Sequence, residues 1–220
     1  MISYNTSIVR DGLVLHLDAA NVKSYPGSGT TWSDLSGNGN NGALVNGVGY
    51  STDNKGVMSF DNSNDEVICT NNSSVQITTG TICAWFNASN GNLGVNGIIA
   101  KQRAWGLFVT SNILQAYDWG NGTWRNTGIT VGNSNWNYAA MSFTETVGTP
   151  SNNAIIYLNG NPVLTTTIKH VNHNITVQIG EANASQHFGG LISSASVYNR
   201  VLSQTEIQQN FEALRGRYGI

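Results

Sequence analysis

The chain has 220 residues, enough for one large β domain or two small ones, and 10 Lys plus Arg against 12 Asp plus Glu leave a formal net charge of −2. A field of that size and sign does not draw a phosphate backbone, which excludes nucleic acid as an expected partner, and apolar runs such as Thr81–Phe86 fall far short of the roughly 20 residues of a membrane span. Charged residues make up only 10%, against about 25% in an average globular domain, so Asn, Ser, Thr and 25 Gly must solvate the surface and form turns, a composition that predicts many short strands.

Met1–Asp11 lacks a basic segment followed by an apolar core, so no secretory signal is expected there. From Gly12 to Ala19, Leu13, Leu15 and Leu17 alternate with Val14, His16 and Asp18, the period-two pattern of a strand whose leucines face a core. A polar loop, 21–42, follows, and then apolar segments at 57–60, 67–70, 82–87, 98–101, 106–109, 113–117, 137–144, 154–158, 162–167, 176–179 and 192–198, with no helix between them. Asn159-Gly160 between two of these runs predicts a tight hairpin, because both residues accept positive φ, and Pro162 then belongs on an edge. Asn46-Gly47, Asn90-Gly91, Asn96-Gly97 and Asn121-Gly122 mark further expected turns. Only the C-terminus changes period: Ser203 to Glu206 forms a capping box, and Ile207, Phe211 and Leu214 recur at four- and three-residue spacing, predicting one short helix over 203–215 that docks on its own sandwich. No repeat or composition break divides the chain, so residues 1–220 read as one domain.

Cys69 and Cys83 both sit in strand-like runs; buried free thiols are favoured over a disulfide. Asp61, Asp65 and Glu66 form the tightest acidic group and read more simply as a polar turn than as a catalytic pair. His170 and His173 are three apart, which along a strand points them to opposite faces, so no zinc site is expected. Among the six Trp, Trp85 and Trp136 lie in apolar strands and read as core. Trp119 and Trp124, with Tyr117, Asp118, Asn121 and Arg125, occupy a turn-rich segment, and Trp105 has a similar setting. Flat rings beside amides and charges are the physical means of holding a sugar, the ring taking its C–H face and the polar groups its hydroxyls. The alternative, which is favoured, is that these rings cap the end of the sandwich or pack on a neighbouring subunit. Trp105, Tyr117, Asp118, Trp119, Asn121, Trp124 and Arg125 are nonetheless the candidate ligand-binding set.

Taken in order, Gly12–Asp18, Trp32–Gly42, Ser59–Asp61, Thr81–Phe86, Ile155–Gly160, Phe188–Ile192 and Val197–Ser203 resemble the laminin G-like, or concanavalin A-like, jelly-roll family. The resemblance implies an all-β, two-sheet antiparallel sandwich, with binding on rim loops or a concave sheet. It implies no particular activity, because the fold hosts lectins, glycanases and adhesion modules. The Glu-x-Asp-x-x-Glu strand of related glucanases is missing, so no enzyme and no cofactor are expected. Calcium at rim-loop oxygens of Asp34, Asn38 and Asn40 is compatible with the resemblance, although Ser193-Ser194 replaces an acidic pair common in the family. The closing stretch, 210–220, is similar to the ending of stand-alone domains of this type in bacteriophage structural proteins. On that basis the leading expectation is a non-enzymatic virion protein, a capsid decoration, head fibre or tail adhesin, at the virion surface. Its partners would be other virion proteins and host-surface glycans, with homo-oligomerisation open. The alternative is a carbohydrate-binding or adhesion module of a bacterial extracellular protein.

Overall fold

A computed structural model describes residues 7–89, 94–145, 151–169, 173–183 and 185–220. It contains β1 (Leu13–Asp18), β2 (Thr31–Trp32), β3 (Gly42–Val45), β4 (Gly49–Ser51), β5 (Val57–Asp61), β6 (Glu66–Cys69), β7 (Gly80–Ala88), β8 (Val95–Lys101), β9 (Trp105–Thr110), β10 (Ile113–Asp118), β11 (Thr123–Thr130), β12 (Trp136–Phe143), β13 (Ala154–Leu158), β14 (Asn161–Thr166), β15 (Gln178–Ile179), β16 (Gly189–Tyr198) and one α-helix, α1 (Gln204–Arg215).

The strands form two antiparallel sheets. The first runs β14-β13-β12-β7-β16-β5-β4, with β1 also paired to β16; the second runs β11-β10-β9-β8-β15-β6-β3-β2. Alternation along each strand sends one set of side chains between the sheets. Leu15, Leu17, Ile82, Ala84, Phe86, Met141 and Ile192 from the first sheet meet Trp32, Val67, Trp105, Leu107, Val109, Leu114 and Ile179 from the second. This is the two-sheet sandwich that the family resemblance implies, with the C-terminal helix that the capping box and residue spacing predict.

Local chemistry explains the joints. Asn159 and Gly160 take φ of 50° and 81°, the two left-handed positions of the tight turn between β13 and β14, and Pro162 lies in the edge strand. Asn46-Gly47 is likewise a left-handed turn. Asn96-Gly97, in contrast, is no turn: it lies inside β8, where a Cβ on Gly97 would sit 2.6 Å from the Glu181 carbonyl carbon, so glycine serves close backbone approach there. Asn90-Gly91 and His170 lie outside the described residues.

The expected alternation in β1 is also modified: all six of its residues are buried. Leu15 and Leu17 face the core, while Leu13 joins a second apolar cluster beneath α1. His16 lies on that helix side, its Nδ1 2.8 Å from Ser196 Oγ, and burial pushes its pKa down to about 4. Ser203 caps α1 in a complete capping box, and Ile207 and Phe211 turn inward. Trp85 stacks on Phe211 at 5.6 Å and on Tyr218 at 4.3 Å, sealing the outer face of the first sheet. Both cysteines are buried free thiols in different clusters, Cys69 between the sheets and Cys83 under the helix, each pushed up to about 12 by burial.

Candidate functional site

The second sheet carries its own aromatic group on the face turned away from the core. On β9, Leu107 and Val109 point inward, so Phe108 points out. Phe108 lies opposite Gln115 on β10, and Tyr117 lies opposite Trp124 on β11, which places three rings side by side. Trp119, from the turn between β10 and β11, completes the set. Ring centroids stand 4.7 Å apart for Tyr117–Trp124, 5.2 Å for Phe108–Trp124, 5.3 Å for Tyr117–Trp119 and 5.9 Å for Phe108–Trp119. Gly106 makes room for this arrangement, since a Cβ there would meet the Phe108 ring at 2.8 Å and Ala100 at 2.9 Å.

These rings floor an open cavity of about 440 Å³, walled by Val95 and Ala182 and rimmed by Gln102, Arg103, Asn183 and Gln186. Two segments 81 residues apart in sequence, counted from Gln102 to Asn183, build the rim. Gln102 and Arg103 occupy the turn from β8 to β9, and Asn183 and Gln186 belong to the loop from β15 to β16. The Gln102 side-chain amide donates to Asn183 Oδ1, the Gly97 amide donates to the Gln186 carbonyl at 2.9 Å, and Asn96 Nδ2 donates to the His187 carbonyl, so the two rim segments are tied together.

Of the candidate residues, Tyr117, Trp119 and Trp124 line the cavity. Trp105 does not: β9 begins with it and its alternation turns it inward, fully buried and 6.4 Å from Phe143, so its expected place at a binding surface is corrected to the core. Asp118, Asn121 and Arg125 do not line the cavity either. The Asp118 carboxylate accepts from Asn121 N at 3.1 Å, Asn121 Nδ2 at 2.9 Å, Arg125 Nη2 at 2.6 Å and Lys169 N at 3.1 Å. Burial by itself would raise its pKa, but the donors from Asn121, Arg125 and Lys169 outweigh it and hold the carboxyl below its ordinary range. This trio positions the turn that carries Trp119 and leads into Trp124. Phe108, Gln102, Arg103, Asn183 and Gln186 escape a sequence reading. Phe108 is hidden in a strand apolar on both faces, and the loop partners are brought in by the fold alone.

A second, more polar cavity of about 320 Å³ is lined by Asn46, Asn64, Glu66, Ile68, Gln178, Glu181 and His187. Gln178 Nε2 donates to Glu66 Oε2 at 2.9 Å and to Glu181 Oε2 at 3.3 Å.

The remaining polar groups serve the scaffold. Asp61 accepts from Ser63 N at 2.8 Å, and Asp65 accepts from Asp61 N at 3.1 Å, which is a polar turn. Asp34 accepts from His16 N, Ser36 N, Ser36 Oγ and Asn40 N, all within 2.9 Å, so its lone pairs hold the loop onto β1 and are not presented to a calcium ion. Asn38 and Asn40 donate their side-chain amides to the Leu13 and Val14 carbonyls, which fixes the loop through their nitrogens. Among the described residues, which include His173, no group of three or more His, Cys, Asp or Glu is arranged to hold a metal.

A family model described as the concanavalin A-like lectin/glucanases superfamily (Laminin_G_3) matches residues 61–208. The chain belongs to this superfamily. No curated protein matches the sequence. Solved structures share the concanavalin A-like fold at low identity. The binding domain of Paraclostridial Mosquitocidal Protein 1 is 17% identical, with a TM-score of 0.69, over 92% of this chain and 52% of that one. The binding domain of botulinum neurotoxin DC, solved in complex with rat synaptotagmin II, is 17% identical, with a TM-score of 0.68, over 94% and 52%. This chain therefore spans about half the length of those toxin domains. Domain 4 of AbnA, a GH43 extracellular arabinanase from Geobacillus stearothermophilus in complex with arabinotriose, is 15% identical, with a TM-score of 0.63, over 90% and 97%.

Proposed function

We propose that this domain is a non-enzymatic carbohydrate-binding module that holds a sugar in the aromatic cavity of the second sheet. The observation that carries this reading is the cavity itself: four aromatic rings on an uncovered sheet face, ringed by the side-chain amides of Gln102, Asn183 and Gln186. Aromatic faces take the apolar C–H surface of a pyranose or furanose, and amides, each both donor and acceptor, take its hydroxyls. The AbnA domain supports the reading as a similar fold of nearly the same extent solved with a bound oligosaccharide.

The same comparisons favour attachment by a bacterial extracellular protein over the virion-surface role, whose support lies in the sequence alone, chiefly the closing stretch, 210–220. Both placements serve adhesion, and both are proposals. Glu66 and Glu181 line a different cavity from the aromatic one, and Gln178 bridges the two carboxylates, which supports binding without hydrolysis.

A glycan array followed by calorimetric titration tests the proposal. We expect retention of at least one glycan class, a loss of affinity of tenfold or more in Trp124→Ala, and no cleavage of the bound glycan. A folded protein that retains no glycan, or a Trp124→Ala variant that binds as well as the parent, contradicts it. Release of reducing ends would overturn the non-enzymatic part.

A further inference from the structure

The cavity has a charge bias that the aromatic floor does not explain. Its lining includes one charged side chain, Arg103, and no carboxylate. Four of the chain's six arginines are ion-paired: Arg125 with Asp118, Arg200 with Asp11 and Glu206, Arg215 with Glu212, and Arg217 with Asp18. Arg103 has no such pair among the described residues, although acids outnumber bases in the chain.

The turn that presents Arg103 is fixed on both sides. On one side, Lys101 is fully buried and its Nζ donates to the Val75 carbonyl at 3.1 Å and to Gln76 Oε1 at 2.6 Å. On the other, Gln102 donates to Asn183. The Ala104 amide closes the turn on the Lys101 carbonyl at 2.9 Å, and Arg103 itself holds a left-handed φ of 64°. That conformation is uncommon for a residue with a long side chain and is retained where the surroundings enforce it. The guanidinium is thus carried at the cavity rim by a constrained backbone.

Resting on the carbohydrate-binding reading above, we infer that the ligand is an anionic glycan, whose carboxylate or sulfate pairs with Arg103 while its ring lies on Trp119 and Trp124. A guanidinium fork matches either oxyanion with two parallel hydrogen bonds, and a partly water-excluded aromatic wall strengthens that pairing. The fold also sets an orientation. Glu66 and Glu181 line the neighbouring cavity beyond Ala182 and Asn183, so a negative substituent placed there would be repelled, and the charged end of the ligand points to Arg103.

The test compares matched probes on the full chain: trigalacturonate against its trimethyl ester, and a sulfated galactose trisaccharide against its unsulfated twin, each titrated at low and high salt. One charged probe is expected to bind at least tenfold tighter than its neutral twin at low salt, and the pair that shows the preference identifies the oxyanion. Arg103→Gln should reduce the preference to within twofold, and Arg103→Lys should restore part of it. Arg103→Asn, which suits the left-handed backbone, guards against misfolding as the cause. A neutral probe that binds as tightly as its charged twin overturns the inference and leaves the aromatic site standing, as does a preference that survives Arg103→Gln. Binding that survives Trp124→Ala defeats the aromatic reading itself.

Discussion

The two outer faces of this sandwich carry similar aromatic groups and end in opposite states. On the first sheet, Trp85, Tyr138 and Trp136 are covered by Phe211 of the C-terminal helix and Tyr218 just after it, and Trp85 is completely buried. On the second, Phe108, Tyr117, Trp119 and Trp124 pack on one another, and the last three remain half-buried around an open cavity. The contrast shows that an aromatic cluster outside the central core is not in itself a site. The α-helix seals the first cluster, and the second stays open among the described residues.

The largest expected effect belongs to the sealed face. Replacing Trp85 by Ala removes a ring packed between Tyr138, Phe211 and Tyr218 and should cost about 3–5 kcal/mol in denaturant unfolding. Trp124→Ala should cost far less stability and far more binding, and equal losses of both properties in the two variants would erase the distinction between the faces.

Next comes His16 under the helix, held neutral with its pKa near 4 mainly by burial. A base whose pKa falls on folding takes up its proton more readily in the unfolded chain. Stability is therefore full above the unfolded pKa of roughly 6.5 and declines by about 3 kcal/mol as pH falls toward 4. A pH series of urea midpoints should show this limb in the parent and a flatter one in His16→Gln.

On the open face, Asp118→Ala strips four hydrogen bonds from the turn behind the aromatic floor. It should cost about 1.5–3 kcal/mol and weaken glycan binding indirectly, through Trp119 and Trp124. Because the folded-state pKa of Asp118 is depressed, its contribution is present above the ordinary carboxylate range and disappears as pH falls through the lower folded value. Asp118→Asn should remove that dependence.

The smallest effect is Ser203→Ala, which takes away the side-chain acceptor for the Glu206 amide and should cost about 1 kcal/mol. Thermal unfolding should register that loss while glycan affinity stays unchanged, because the helix sits on the other sheet.

How much of this could be read from the sequence follows the same division. The strands that became both sheets' interiors, such as β7 and β12 in the first and β8 and β9 in the second, announce themselves by apolar runs, and α1 by its capping box and spacing. Strand β11 does not: Thr123–Thr130 alternates between exposed and half-buried, with Gly128 in its middle, and reads as a turn. Strands β2, β3 and β4 have two to four residues, too short for any period to show. At the site, Tyr117, Trp119 and Trp124 were recognisable from their polar surroundings, but the same surroundings made Trp105 look exposed when the register of β9 turns it inward. Phe108 was concealed for the complementary reason. The rim from Asn183 and Gln186 depends on a loop that is distant in sequence and joins the site through the pairing of β15 with β8 and the hydrogen bonds from Gly97 and Gln102.

Indole NMR on the labelled protein tests the central claim most directly, because the six tryptophans report from the core, the sealed face and the open face in one spectrum. During titration with a glycan retained on the array, the Trp119 and Trp124 signals should shift together while those of Trp32, Trp85 and Trp105 stay in place. Binding that moves Trp85 or Trp136, or that leaves Trp119 and Trp124 unchanged, would contradict the assignment of the open aromatic face as the binding site.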